Sequence, residues 1–471
     1  MSTAARLHRI LALAMLVMVA TASASAGGKT TGGGESSPAK PAYSGGYRGV
    51  GRDGVYPAEN LLDKWPEEGP KLLWTYNGLG SGWSSVTIHD GRAYVLGGTN
   101  PGRLFCFDID SGKLIYKAAY GPDRTEGRFA GTRSTLEIAG DKAVFASGDG
   151  VIHCRKVSDG SKIWAVDTVK DFGNKIPGHG YNITPLIYKD KVISAIRRGK
   201  HTHVALDLET GKVVWASEPS TLAIGDSSPV LVPHEKKPLI VDNLWHAFVA
   251  IDPENGKIVW KRKDGRTGTM MTPIYSDGYV FADMGRHRAV LLERVDAGGS
   301  DEKEPFREVW KLDHGLDDIS QALILDGRVY YMGRLRKEIE VTVEKKGKTQ
   351  KRKKTVRPMF LFARDLRTGK LIHQEKVRAS GSLAAADGMI YLVTGGEMGW
   401  KSKEGIVARL HLIKPTKDGF EQVSAFNPVR DKKEAWINPA IGQGRLFFRQ
   451  GNRISCYDLR PESYKESTKD E

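Results

Sequence analysis

The chain has 471 residues, of which 40% are apolar and 27% charged, and it carries a formal net charge of +15. Length alone suggests two or three domains, but closed repeat architectures are the standard exception, so internal repeats have to be sought first. The positive excess favours anionic surfaces or ligands in general.

The chain opens with Arg6, His8 and Arg9, an uncharged apolar stretch from Ile10 to about Ala20, and small residues ending Ala24-Ser25-Ala26. That is the order of a secretory signal peptide, so residues 1–26 are expected to be removed. The apolar stretch is shorter than the roughly 20 residues of a membrane span. No cysteine stands near the cleavage point to carry a lipid, and no second apolar run of spanning length follows. The expected location is periplasmic or extracellular, soluble and not lipidated, which argues against nucleic acid as the partner of the positive charge. Residues 27–60 are dominated by Gly, Ser, Thr, Pro and Lys and have little to bury, so they read as a disordered tether.

A phrase then recurs: Asp110-Ser111-Gly112-Lys113-Leu114-Ile115-Tyr116, Ser158 to Trp164, Glu209 to Trp215, Glu254 to Trp260 and Arg367 to His373. The first four glycines recur 48, 51 and 45 residues apart, the length of one four-stranded propeller blade. In each phrase an apolar strand containing an Asp meets a tight turn, and a second strand ends on a large side chain. These are strands C and D. Upstream of each lies another hairpin, as at Val86 to Leu96 or Ala322 to Tyr331, giving eight A and B pairs in all. Short, evenly spaced strands with Gly or Asp turns predict an all-β, eight-bladed propeller of four-stranded antiparallel blades. It spans about residues 70–460 and is followed by a charged tail, 461–471.

The last unit lacks a strand D, whereas Lys71-Leu72-Leu73-Trp74 looks like a strand D without a blade. Pairing this N-terminal strand with Ile454 to Tyr457 closes the ring and removes its open edges. Trp74 then shares a slot with Trp164, Trp215, Trp260 and Trp310, all expected to pack between neighbouring blades.

The DxxTGKxxW phrase resembles that of the pyrroloquinoline-quinone (PQQ) repeats found in quinoprotein alcohol dehydrogenases and in the outer-membrane assembly propeller BamB. The resemblance covers about residues 70–460. It implies the fold and not the activity, because catalytic and non-catalytic members share the phrase. Its dehydrogenases generally use a disulfide between adjacent cysteines, a calcium held by acidic and amide side chains, and an Asp base. Here Cys106, Cys154 and Cys456 are the only cysteines and none are adjacent. At their slot other blades carry Ala205, Ala250 and Ala363, so three buried free thiols are expected. No calcium triad can be placed, and no CxxCH, Walker loop, HExxH or GxSxG occurs. The reading therefore favours a non-catalytic member of the BamB type, with no cofactor or metal expected.

Loops before strand A and between strands B and C emerge on one face of a propeller. They bring Arg197, Arg198, Lys200 and His201 from the third blade, Asn243, Trp245 and His246 from the fourth, Arg286, His287 and Arg288 from the fifth, and Arg334 and Arg336 from the sixth. Arg133, His179, Tyr181, Asn182, Asp226, Asp318 and Trp436 join them from the preceding loops. Guanidinium and imidazole groups with aromatics among them suit carboxylate, sulfate or phosphate. In the sixth blade residues 339–357 extend the B to C hairpin, and between Lys345 and Arg357 they carry eight cations and no acid. A protruding ribbon turning near Gly347 is expected, as a solvated hairpin or as an electrostatic arm reaching an acidic polymer, a membrane surface (through 345–357) or a partner protein.

Three functions fit. The leading one is an exported, non-catalytic binding or scaffold protein for an anionic ligand or envelope protein. The others are a PQQ- and calcium-dependent oxidoreductase acting on an alcohol or sugar, and a glycan-binding propeller stacking sugars on Trp83, Trp245 and Trp436.

Overall fold

The computed structural model describes residues 46–465, apart from 125–129, 220–224, 235–236, 245–246, 264–269, 285–288, 296–303, 313–314, 318–319, 346–347, 396–407 and 429–437. Eight antiparallel blades succeed one another. The first has the strands Thr87–His89, Arg92–Gly97, Gly102–Asp108 and Leu114–Gly121 in the spatial order A-B-C-D. In the eighth, Leu72–Asn77 lies beside Arg453–Asp458, with Trp74 opposite Cys456, so the ring is an eight-bladed propeller closed by the N-terminal strand. No helix among the described residues is long and apolar enough to cross a membrane.

Burial follows from position within a blade. Every residue of Leu239–Leu244 and Ala247–Ile251, the B and C strands of the fourth blade, is buried, because neighbouring blades cover both faces. Strand D is outermost, so Val213 and Val214 face solvent while Trp215 turns inward. The inward ring then docks on the next blade. The indole N–H groups of Trp74, Trp164, Trp215 and Trp310 donate to Ile109 O, Leu208 O, Pro253 O and Leu366 O at 2.8–3.0 Å. Tyr116 fills the same slot in the first blade, donating to Val157 O at 2.9 Å. Trp260 packs on Phe306 with ring centroids 5.2 Å apart.

The residue opposite each slot is Ala or Cys in six blades, and Leu291 and Leu412 in the fifth and seventh. Cys106, Cys154 and Cys456 are buried free thiols in separate blades. Burial pushes the Cys106 thiol up to about 11 and that of Cys154 up to about 12, which keeps both protonated.

Around the axis a second connection joins the blades. The backbone N–H groups of Thr135, Thr184, Ser228 and Thr272 donate to Thr184 Oγ1, Ser228 Oγ, Thr272 Oγ1 and Gln321 Oε1 at 2.9–3.2 Å. From the second blade to the sixth, the residue two before each strand A is thus tied to its counterpart in the next blade by a polar side chain.

Residues 46–60, expected within the disordered tether, are instead packed in the ring. Arg48 and Arg52 are 1% and 4% exposed, and the backbone at Val55 pairs with Ala385 of the seventh blade. The physical reason is that polar backbone at the centre of a ring needs donors, and two arginines provide several each. Residues 1–45 and 466–471 lie outside the described residues.

Candidate functional site

The centre of the ring is filled by the chain's own residues 46–56. Arg52 donates to Thr184 O and Pro229 O at 3.2 and 2.9 Å, to Pro185 O, and to Glu137 Oε1 at 2.9 Å, so one guanidinium joins the second, third and fourth blades. Arg48 reaches the other way, to Ala322 O (2.6 Å), Leu383 O (3.3 Å) and Asn438 Oδ1 (3.2 Å). Burial holds its guanidinium pKa below the ordinary value. Tyr47 donates its N–H to Glu137 and shares a 3.0 Å hydroxyl contact with Thr272, and Tyr56 OH donates to Pro439 O. Blades two to eight therefore all touch this plug.

On the face of the loops preceding strand A, Asp226 gathers the predicted residues of the second and third blades. Arg197 pairs with it, His179 Nε2 lies 3.1 Å away, and Asn182 Nδ2 donates to its carbonyl at 3.2 Å. Arg133 stands nearby, its pKa lowered to about 10 by burial and then by Arg124. Tyr181 turns inward and donates to Ala195 O. Part of the expected cationic face is thus a neutralised internal network.

The remaining residues are spread along the rim. Arg198 and Lys200 are exposed, His201 Nδ1 contacts Ser217 O, and Asn243 is buried. Arg334 lies 3.7 Å from Asp317, and Arg336 is exposed. Trp245, His246, Arg286, His287, Arg288, Asp318 and Trp436 lie outside the described residues.

A family model described as outer membrane protein assembly factor BamB matches residues 124–353. The structure is similar to quinohemoprotein alcohol dehydrogenase from Comamonas testosteroni, at 13% identity and a TM-score of 0.63, over 90% of this chain and 81% of that one. It is also similar to BamB from Moraxella catarrhalis, at 15% identity and a TM-score of 0.50, over 78% and 92%. This is an eight-bladed β-propeller. A europium-containing methanol dehydrogenase is similar at 12% identity and a TM-score of 0.56, over 87% and 90%. At these identities the likeness is one of fold. No curated protein matches the sequence.

Arg48, Arg52 and Tyr47 bind the inner ends of the blades, and the three thiols stand in three different blades. On the sixth blade Lys337–Lys345 and Lys348–Val356 form a separate two-stranded ribbon. Cross-strand register assigns its two faces. One carries Lys337, Ile339 and Val341 opposite Val356, Lys354 and Arg352, with no acid. The other carries Glu338, Glu340 and Glu344 opposite Thr355, Lys353 and Thr349, and Lys351 lies 3.8 Å from Glu340. The acid-free run expected between Lys345 and Arg357 falls on the turn and the second strand, and the three acids of the first strand come to lie on one face only once the strands are paired.

Proposed function

We propose that this chain is a non-catalytic binding or scaffold propeller, acting outside the cytoplasm, that engages an anionic partner through the sixth-blade ribbon. The observation that carries the reading is the acid-free ribbon face, on which Lys337, Arg352 and Lys354 flank Ile339 and Val341. Ile339 is 41% exposed there. An exposed apolar side chain between cations suits a surface that offers both negative charge and apolar contact. The matched family, described as an outer membrane protein assembly factor, is compatible with a partner in the envelope. The leader-like residues 1–26 support export.

The test compares the full chain with a variant in which 337–356 is replaced by an Asn-Gly turn, binding each to phosphatidylglycerol vesicles and to heparin. Salt-sensitive binding by the full chain, lost in the variant, supports the reading. Equal binding by both moves the site elsewhere. Dye-linked alcohol oxidation after incubation with PQQ and Ca²⁺ would overturn the non-catalytic role.

A further inference from the structure

The groove between the sixth and seventh blades differs from its counterpart between the first and second, and the repeat explains how. In the earlier groove Tyr120, Phe145 and His153 form one buried aromatic cluster with ring centroids 4.9–5.2 Å apart. Phe145 stands opposite His153 across strands B and C, and His153 immediately precedes the slot-facing Cys154. In the seventh blade Leu392 stands opposite His411, which immediately precedes Leu412 in the same way. Tyr120 is the fourth residue after the slot residue Tyr116 and is the extra residue of a bulge opposite Gly102 and Arg103, whereas the fourth after His373, Val377, pairs regularly with Met359.

Two aromatic rings are therefore replaced by aliphatic side chains while the histidine is kept. The strand ladders on either side hold the blades apart, so the space is not recovered by collapse. A cavity of about 320 Å³ remains, floored by Leu361, Val377, Leu392, Ile413 and Phe420. This lies at the small end of the roughly 300–1,000 Å³ range of ligand pockets.

The chemistry of the rim is one-sided. Exposed Lys376, Arg378 and Arg409 border the cavity, against the single acid Glu375. Thr394 Oγ1 and His411 Nε2 are 3.1 Å apart, and His411 Nδ1 is 2.6 Å from Gln422 Oε1, so the polar wall is ordered.

We propose that this inter-blade cavity binds a small amphiphilic anion: a compact apolar body, such as one aromatic ring, in the space the missing rings vacate, with a carboxylate or phosphate head against Arg378 and Arg409. Guanidinium pairs recognise both heads in bidentate fashion. The inference does not rest on the ribbon, whose two strands form a separate sheet.

The first blades supply the test variant. Val377→Tyr with Leu392→Phe rebuilds the aromatic filling already accommodated between the first and second blades. The full chain is titrated calorimetrically with benzoate and phenyl phosphate, with benzyl alcohol as a body without charge and inorganic phosphate as a charge without a body. Both aromatic anions are expected to bind, and more tightly than either control. The refilled variant is expected to lose this binding, and Arg378→Gln with Arg409→Gln to weaken it at least about tenfold, the equivalent of one lost ion pair. Should the refilled variant not fold, the arginine variant and Val377→Tyr alone carry the test. Unchanged affinity in folded variants, inorganic phosphate binding as tightly as phenyl phosphate, or no aromatic anion binding at all would overturn the proposal.

Discussion

Trp65 stands edge-on to Phe426, with ring centroids 5.3 Å apart and planes at 87°. Its backbone N–H donates to Ser424 Oγ at 2.9 Å. Ser424 faces Leu412 at the position where the other blades present tryptophan, tyrosine or, in the sixth, His373. A ring from the N-terminal segment thus fills the slot that the seventh blade leaves open. Truncation of such a buried ring, Trp65→Ala, is expected to cost about 3–5 kcal/mol in urea unfolding. Trp65→Phe is expected to cost markedly less, because the indole N–H has no hydrogen-bond partner among the described residues. Equal losses for both would show that the ring does not pack as described.

The plug gives a second expectation. Removing one partner of a buried ion pair typically costs about 3–5 kcal/mol, and Arg52 also satisfies three carbonyls that would be left without a donor. Arg52→Met should therefore destabilise strongly. Glu137→Gln should cost less, because its amide oxygen can still accept from Tyr47 N–H. Chemical denaturation of both variants checks the order.

The docking of tryptophan on the next blade's turn can be isolated with two glycines. Gly211 and Gly327 have φ of +72° and +70°, so alanine is strained equally at both. A methyl group at Gly211 would come within 2.8 Å of the Trp164 ring, whereas nothing lies within 4 Å at Gly327. Gly327→Ala should cost about 1 kcal/mol, and Gly211→Ala a further roughly 1–3 kcal/mol of overpacking. Melting of the two variants side by side measures the difference.

His153 predicts an acid limb. Burial, and after it Arg155, lowers its pKa from 6.5 to about 3. The unfolded chain takes up this proton near 6.5 and the folded chain only near 3. Below 6.5 unfolding therefore binds a proton, and stability falls by up to about 1.4 kcal/mol per pH unit down to about 3. His153→Phe should flatten that limb without lowering stability at neutral pH, which urea midpoints from pH 4 to 7 would show.

The parts of the fold that repeat were legible in the sequence. The spacing of Gly112, Gly160, Gly211 and Gly256 places four blades, and the orphan strand at Trp74 matches an eighth blade that lacks one. What does not repeat was not legible. Arg48 and Arg52 sit among glycines with no periodicity, and their acceptors come from six different blades. Arg197 and His179 were read from the sequence as part of one basic face, yet both lie against Asp226, a contact that depends on loop paths rather than on strand pattern. The inter-blade cavity was written in the difference between Tyr120 and Val377, and it emerges only when one blade is compared with another in register.

The last strand pair has a consequence for synthesis. Thr75 lies against Ser455, 380 residues further along. A ribosome adding about 5–20 residues per second needs roughly 20–80 seconds to make that stretch. Throughout that interval the first strand, with Trp74, waits without its partner while the intervening blades form. The nascent chain is then most exposed to pairing with a neighbour's strand, and the polysome rather than the finished ring is where crowding would do most harm.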